Sequence, residues 1–223
     1  AEKLQEDEYL YIVNYYGQIA DDVIRMFKEK HSNIILDNTQ SFFQKSFSDI
    51  DTIYSCRKYF GVPDGAYLST DVALNEILEE DKSSSRMKHI LGRFEGQASD
   101  YYNEFIKNDE AFKELPIKRM SKLTRNILGA IDYQKVIDTR NRNFKYLHDC
   151  LGSSNVLEIK LPHGPFSYPF YVKNGIVVRK ALAEKKIYIP TLWPNVLKEN
   201  FEDSIEYDYA TNILPLPCDQ RYG

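Results

Sequence analysis

An acid, an amide, a serine and a lysine fall within one short stretch of the chain, Ile34 to Tyr67, which reads IILDNTQSFFQKSFSDIDTIYSCRKYFGVPDGAY. The apolar run Ile34-Ile35-Leu36 ends at Asp37, and the polar segment Asn38 to Gln40 follows at once. That is the pattern of a buried strand delivering a carboxylate to its carboxyl edge. A second short strand, Thr52 to Tyr54, delivers Ser55 and Lys58, and Gly61-Val62-Pro63-Asp64-Gly65 reads as a tight turn before the apolar segment Ala66 to Leu68. An amine beside a strand end, a hydroxyl three residues before it and an acid on a neighbouring strand are the groups that pyridoxal 5'-phosphate requires. The amine forms a Schiff base with the cofactor aldehyde, the carboxylate keeps the pyridine nitrogen protonated, and hydroxyls take the phosphate. Lys58, Asp37 and Ser55 suit those roles, and Gln40 suits a place over the same ring. The competing reading is a surface lysine and a strand-end acid, because an SxxK or a lone Asp after an apolar strand arises by chance in many chains.

The flanking elements would have to position these groups. Tyr9 to Tyr15 reads as a strand, Gly17 as a turn, and Ala20 to Lys30 as a helix with Val23, Ile24 and Phe27 on one face. With Ile34 to Leu36 this makes a βαβ unit, whose right-handed crossover puts both strand ends, and so Asn14 and Asp37, at the same sheet edge. Asn14 reads either as a cofactor contact or as a strand-end turn cap. Further on, the expectation is a short helical piece over Asp71 to Glu80, a loop at Lys82 to Ser85, and a long polar–apolar pattern to Asn108 with His89 and Arg93 on a solvated side. Phe94, Ala98, Tyr101, Tyr102 and Phe105 recur at helical spacing, as core contacts or a subunit interface.

Pro116 breaks that pattern, and helices are expected over Met120 to Leu128 and Tyr133 to Leu151. Lys118, Arg119, Lys122, Arg125, Arg140 and Arg142 cluster there, which reads first as a solvated helix face. Arg119 and Arg125 are the candidates for a phosphate-bearing substrate, since guanidinium groups pair bidentately with phosphate. Beyond Gly152, strands over Val156 to Lys160, Tyr168 to Val172 and Lys186 to Pro190, with a helix over Ile176 to Glu184, predict a small α+β domain. His163 falls in a loop, Trp193 in an anchored loop, and the segment 200–208 in an acidic turn or helix. The domain boundary is expected between residues 117 and 118.

The 223 residues are 43% hydrophobic, enough to fill a core, and the net charge of −4 offers no general attraction to nucleic acid or to anionic membranes. No apolar stretch approaches the length of a membrane span. Three cysteines, Cys56, Cys150 and Cys218, form no CxxC pair and no cluster with histidine, so neither a disulfide framework nor a metal site is expected, and a cytoplasmic setting is.

DNTQSFF at Asp37 to Phe43 and SCRKYFGVPDGAYLST at Ser55 to Thr70 resemble the DegT/StrS-type nucleotide-sugar aminotransferases, a family of fold-type I pyridoxal phosphate-dependent enzymes. IVNYYGQIADDV at Ile12 to Val23 resembles that family's strand, YGQ turn and helix. RMSKLTRNIL at Arg119 to Leu128 and ILPLPCDQRYG at the end of the chain resemble its inter-domain helix and C-terminal segment. Asn14 stands where the family often has histidine, and Ser55 lies closer to the lysine than the family's usual phosphate serine. The resemblance implies an α/β fold: part of a large domain with a mostly parallel sheet, followed by a small α+β C-terminal domain. It also implies that the chain is a fragment of a longer protein. The expected activity is transfer of an amino group from a donor such as glutamate to a keto sugar linked to a nucleotide, in a homodimer. Lysine at position 58 argues against the related dehydratases, which carry histidine there. The alternative is a catalytically inactive relative or fragment serving as an interaction or regulatory subunit.

Overall fold

In the computed structural model, which describes residues 4–5, 7–199 and 201–222, the apolar runs of the first half form one four-stranded sheet. Its strands are β1 (Leu10–Val13), β2 (Ile34–Asp37), β3 (Asp51–Ser55) and β4 (Ala66–Ser69), in that spatial order. The first three are parallel and β4 is antiparallel to β3. Helix α1 (Asp21–Lys30) makes the expected crossover between β1 and β2. It begins with Asp21 and Asp22 and ends with Lys28 and Lys30, charges that complement the helix dipole at both ends. Ile34 and Leu36 are buried while Ile35 and Asp37 are half-buried, the period of two that a pleated strand imposes. The β3–β4 connection closes through the Cys56 amide on the Gly65 carbonyl (3.1 Å). Gly65 sits there at φ +106°, and a Cβ on it would lie 3.0 Å from Thr124 Cγ2, so the turn needs glycine on both counts.

Two compact units divide the chain: one holds the residues up to Asn14 together with Asp21–Tyr133, the other Tyr15–Ala20 with everything from Gln134. The boundary expected after residue 117 therefore falls inside the first unit. Helix α2 (Lys88–Glu95), α3 (Tyr102–Glu114) and α4 (Lys122–Gly129) complete that unit. What ties α4 to the sheet is a buried carboxylate: Asp64 accepts from the Ser121 amide (2.7 Å), the Ser121 hydroxyl (2.9 Å) and the Thr124 hydroxyl. The helix expected over Asp71 to Glu80 is absent. Val72, Leu74 and Ile77 (99% exposed) have no surface to bury against, and a helix this short needs packing to persist. The segment is held by backbone pairing at its far end instead, Arg119 N to Glu79 O (2.8 Å) and Asp81 N to Arg119 O (2.9 Å). The pattern running to Asn108 is broken at Gly96, the C-cap of α2. His89 is buried rather than solvated, its ring 5.7 Å from that of Phe105. The core role expected of Ala98, like much of the acidic stretch 1–8, lies outside the described side chains.

The second unit is organised on α5 (Tyr133–Leu151) and a two-stranded antiparallel sheet of β5 (Tyr168–Tyr171) and β6 (Ile213–Leu216). Helices α6 (Gly175–Glu184), α7 (Val196–Glu199) and α8 (Ile205–Asn212) lie between those strands in sequence. Phe144, Tyr168 and Cys218 form its buried centre, with Leu147, Leu151, Ile159, Phe170 and Leu216 packed around them. The strand expected at Val156 to Lys160 keeps its alternation of exposure, but no described strand pairs with it. Gln18 meets its end instead, accepting from Lys160 N (2.8 Å) and donating to Lys160 O (3.0 Å). The strand expected at Lys186 to Pro190 is replaced by a helix stop. Lys186 takes φ 61°, and Lys186 N and Ile187 N bond back to the Ala183 and Leu182 carbonyls (2.9 Å each). Arg140, expected on a solvated face, is 1% exposed and donates to Pro165 O and Gln220 Oε1 (2.8 Å each). Trp193 is anchored, its ring edge-on to those of Tyr15 and Tyr16 at 4.8 and 6.1 Å.

Candidate active site

The carboxyl ends of β2 and β3 bring Asp37 and Lys58 to one edge of the sheet. Asp37 is the last residue of β2, paired in register with Val13 on β1 and Ile53 on β3. Its Oδ2 accepts from the Tyr11 hydroxyl (2.7 Å) and its Oδ1 from the Thr39 amide (2.8 Å), a local turn that a side-chain carboxylate two residues back stabilises. Lys58 leaves the first turn after β3, where the Cys56 carbonyl accepts from the Tyr59 and Phe60 amides (3.1 and 2.9 Å). Its Nζ donates to Thr39 Oγ1 at 2.9 Å, so amine and carboxylate are joined through a single residue. The side chain reaches solvent, yet the protein around the ammonium dehydrates it enough to lower its pKa from the ordinary lysine value. Asp37 opposes that shift and the Arg57 guanidinium reinforces it. Arg57, in the same turn, is paired with Asp109 of α3 (3.1 Å) and lies 4.5 Å over the ring of Phe112 on that helix.

Ser55 shares the Asp37 face of the sheet, since Ile53 is paired with Asp37 and Ser55 stands two residues on, a separation of roughly 8 Å from strand spacing and rise. It lines a pocket of about 370 Å³ together with Arg57, Asp64, Phe112 and Arg119. Arg119 thus meets Ser55 across that pocket, while its Nε donates to Leu78 O (3.0 Å). The guanidinium of Arg125 is taken by Glu80. Gln40 is 3% exposed, and its carbonyl accepts from Tyr59 OH (2.8 Å), so it is enclosed beneath the turn that carries Lys58. Asn14 is fully buried. Its amide donates to Asn38 Oδ1 (3.0 Å) and Gln44 Oε1 (2.5 Å), and Gln44 in turn donates to Asp21 Oδ1 (2.8 Å), which ties the strand-end loop to the start of α1. Three residues of the site were not singled out from the sequence: Tyr11, Thr39 and Asp64. Tyr11 was legible, because it precedes Val13 by two and Val13 pairs with Asp37, so Tyr11 must share the Asp37 face.

The donor set suits pyridoxal phosphate. An accessible primary amine of lowered proton affinity, a carboxylate held by two hydrogen bonds and a serine hydroxyl on the same sheet face are the groups that aldehyde, ring nitrogen and phosphate call for. Among the described residues no group of three or more His, Cys, Asp or Glu could hold a metal ion, and no helix is long and apolar enough to cross a membrane.

Comparison with known proteins places the fold. No protein-family model matches the sequence, and no curated protein does. A solved structure of a DegT DnrJ EryC1 StrS aminotransferase from Brucella abortus superposes with a TM-score of 0.53 over 93% of this chain, at 14% sequence identity. The likeness is one of fold, a mixed α/β architecture with a mostly parallel sheet. The chain spans 59% of the length of that protein.

Proposed function

We propose that the chain carries the lysine half of a pyridoxal phosphate-dependent aminotransferase site, acting on a keto sugar linked to a nucleotide with an amino donor such as glutamate. The observation that supports this most directly is the Lys58–Thr39–Asp37 chain at the carboxyl edge of the parallel strands. Bound there, the cofactor would supply an electron sink for charge developing on the substrate carbon. Lys58 Nζ is the amine that holds it and, once released, the base that takes a proton from one carbon and returns it to another; a lowered proton affinity favours both tasks near neutral pH. Asp37, its carboxylate fixed by Tyr11 and the Thr39 amide, keeps the ring nitrogen protonated. Ser55 contributes a hydroxyl to the phosphate, and Arg119 and Arg125 are the candidates for the substrate's diphosphate. Gln40 and Asn14 support the site from within the fold, each buried beside a loop that shapes it. A homodimer in a cytoplasmic setting completes the proposal.

The test is trapping. Incubation with pyridoxal phosphate, reduction with borohydride and peptide mapping should place a pyridoxyl adduct on Lys58, and Lys58→Ala should carry none there. A folded wild-type protein with no adduct on Lys58 would overturn the reading in favour of a non-catalytic relative that serves as an interaction or regulatory subunit.

A further inference from the structure

We propose that Thr39 is a positioning residue for Lys58, its hydroxyl holding the amine against the Asp37 edge whenever the amine is free. The proposal deepens the aminotransferase reading, but its geometry stands without the cofactor. Lys58 springs from an exposed turn, and a four-carbon stem on such a turn ordinarily leads its ammonium into water. Here it turns back to a half-buried threonine on another strand's loop, at 2.9 Å. That threonine is itself fixed. Its amide is bound to Asp37 Oδ1 (2.8 Å), Asp37 Oδ2 is bound to Tyr11 OH (2.7 Å), and the loop is closed one turn later by Ser41 N on Asn38 O (2.9 Å). One residue thus uses its backbone to orient the carboxylate and its side chain to seat the amine, and a hydroxyl can serve the amine as acceptor or as donor when the amine loses its proton.

The consequence is a lysine kept where its surroundings act on it. The charged groups facing it are Asp37 from β2 and Arg57 from its own turn, with the Tyr11 hydroxyl behind Asp37. Without the hydroxyl the side chain is free to swing into water, where neither dehydration nor Arg57 bears on it, and its proton affinity returns toward that of an ordinary surface lysine.

Labelling of Lys58 with an amine-reactive reagent, followed by peptide mass spectrometry across a pH series in cofactor-free full chain, reads this directly. Thr39→Val keeps the shape and removes the hydroxyl; Thr39→Ser keeps the hydroxyl and removes the methyl; Thr39→Ala removes both. The expected result is a Lys58 midpoint that moves to higher pH in Thr39→Val and Thr39→Ala, with labelling below the midpoint slowed in proportion to that shift. Thr39→Ser should follow the wild type. A packing role reverses the order, with Val unchanged and Ser displaced, and that result would overturn the proposal. So would a midpoint that falls in Thr39→Val, which would mean that the hydroxyl only stabilises the ammonium. Because no cofactor is present, loss of the borohydride adduct in the trapping experiment would remove the aminotransferase reading without altering this outcome.

Discussion

Asp64 ends the loop that carries Lys58, and replacing it measures how firmly that loop is fastened. The carboxylate is 2% exposed and accepts from the Ser121 amide, the Ser121 hydroxyl and the Thr124 hydroxyl. Ser121 is also the N-cap of α4, so the carboxylate lies at the positive end of that helix. Asp64→Ala strands the Ser121 amide outright, since the Ser121 hydroxyl keeps Ser83 (2.6 Å) and a threonine hydroxyl can rotate. A buried donor left unsatisfied costs about 1–3 kcal/mol, and loss of the charge–helix interaction adds about 1–2 kcal/mol. The expected loss is therefore about 2–5 kcal/mol for Asp64→Ala and smaller for Asp64→Asn, which retains one acceptor oxygen. Urea unfolding followed by circular dichroism reads the difference, with hydrogen exchange at the Ser121 amide as the local report. Burial alone would raise the Asp64 pKa, but the hydrogen bonds from the Ser121 amide and the Thr124, Ser121 and Ser83 hydroxyls outweigh it and leave the carboxyl below its usual range. A group whose folded pKa is depressed stabilises the fold above its unfolded value, near 4, and loses that contribution as pH falls through the folded value. Asp64→Asn should flatten that part of the acid limb. An Asp64→Ala variant within about 0.5 kcal/mol of wild type, the range of ordinary surface changes, would refute the reasoning.

Arg140→Met should cost about 3 kcal/mol in the same unfolding assay, because it removes the charge-assisted hydrogen bonds to the Pro165 carbonyl and to Gln220 Oε1. Arg140→Lys should rescue little, since an ammonium cannot reproduce the planar fork that reaches both. Thiol titration should find Cys150 reactive in the native protein, with Cys56 and Cys218 silent until denaturant is added. Both are buried and free, and burial pushes each thiol up to about 12.

What the sequence reveals and conceals here follows the range of the interactions involved. Asp37 at the end of an apolar run, and a crossover helix with acids first and lysines last, are decided within a few residues, and both stand where the patterns put them. The second unit's strands are decided by partners far away. The run at Val156 to Lys160 alternates in exposure and β5 does not, yet β5 finds Ile213 to Leu216 some forty residues on, whereas the earlier run pairs with no described strand and its end is met by the side chain of Gln18. Alternation declares a strand's willingness to pair and says nothing of whether a neighbour arrives. The candidate site obeys the same division. Lysine and aspartate stand out by residue type, whereas the atoms that orient them belong to residues whose types are common in turns. Asp64 reads as a turn former until its distance to Ser121 is known, and Thr39 reads as loop filler until the Lys58 amine is seen to end on it. Residue type therefore points to the reacting groups, and their geometry resides in ordinary threonines, serines and buried amides that only the folded chain singles out.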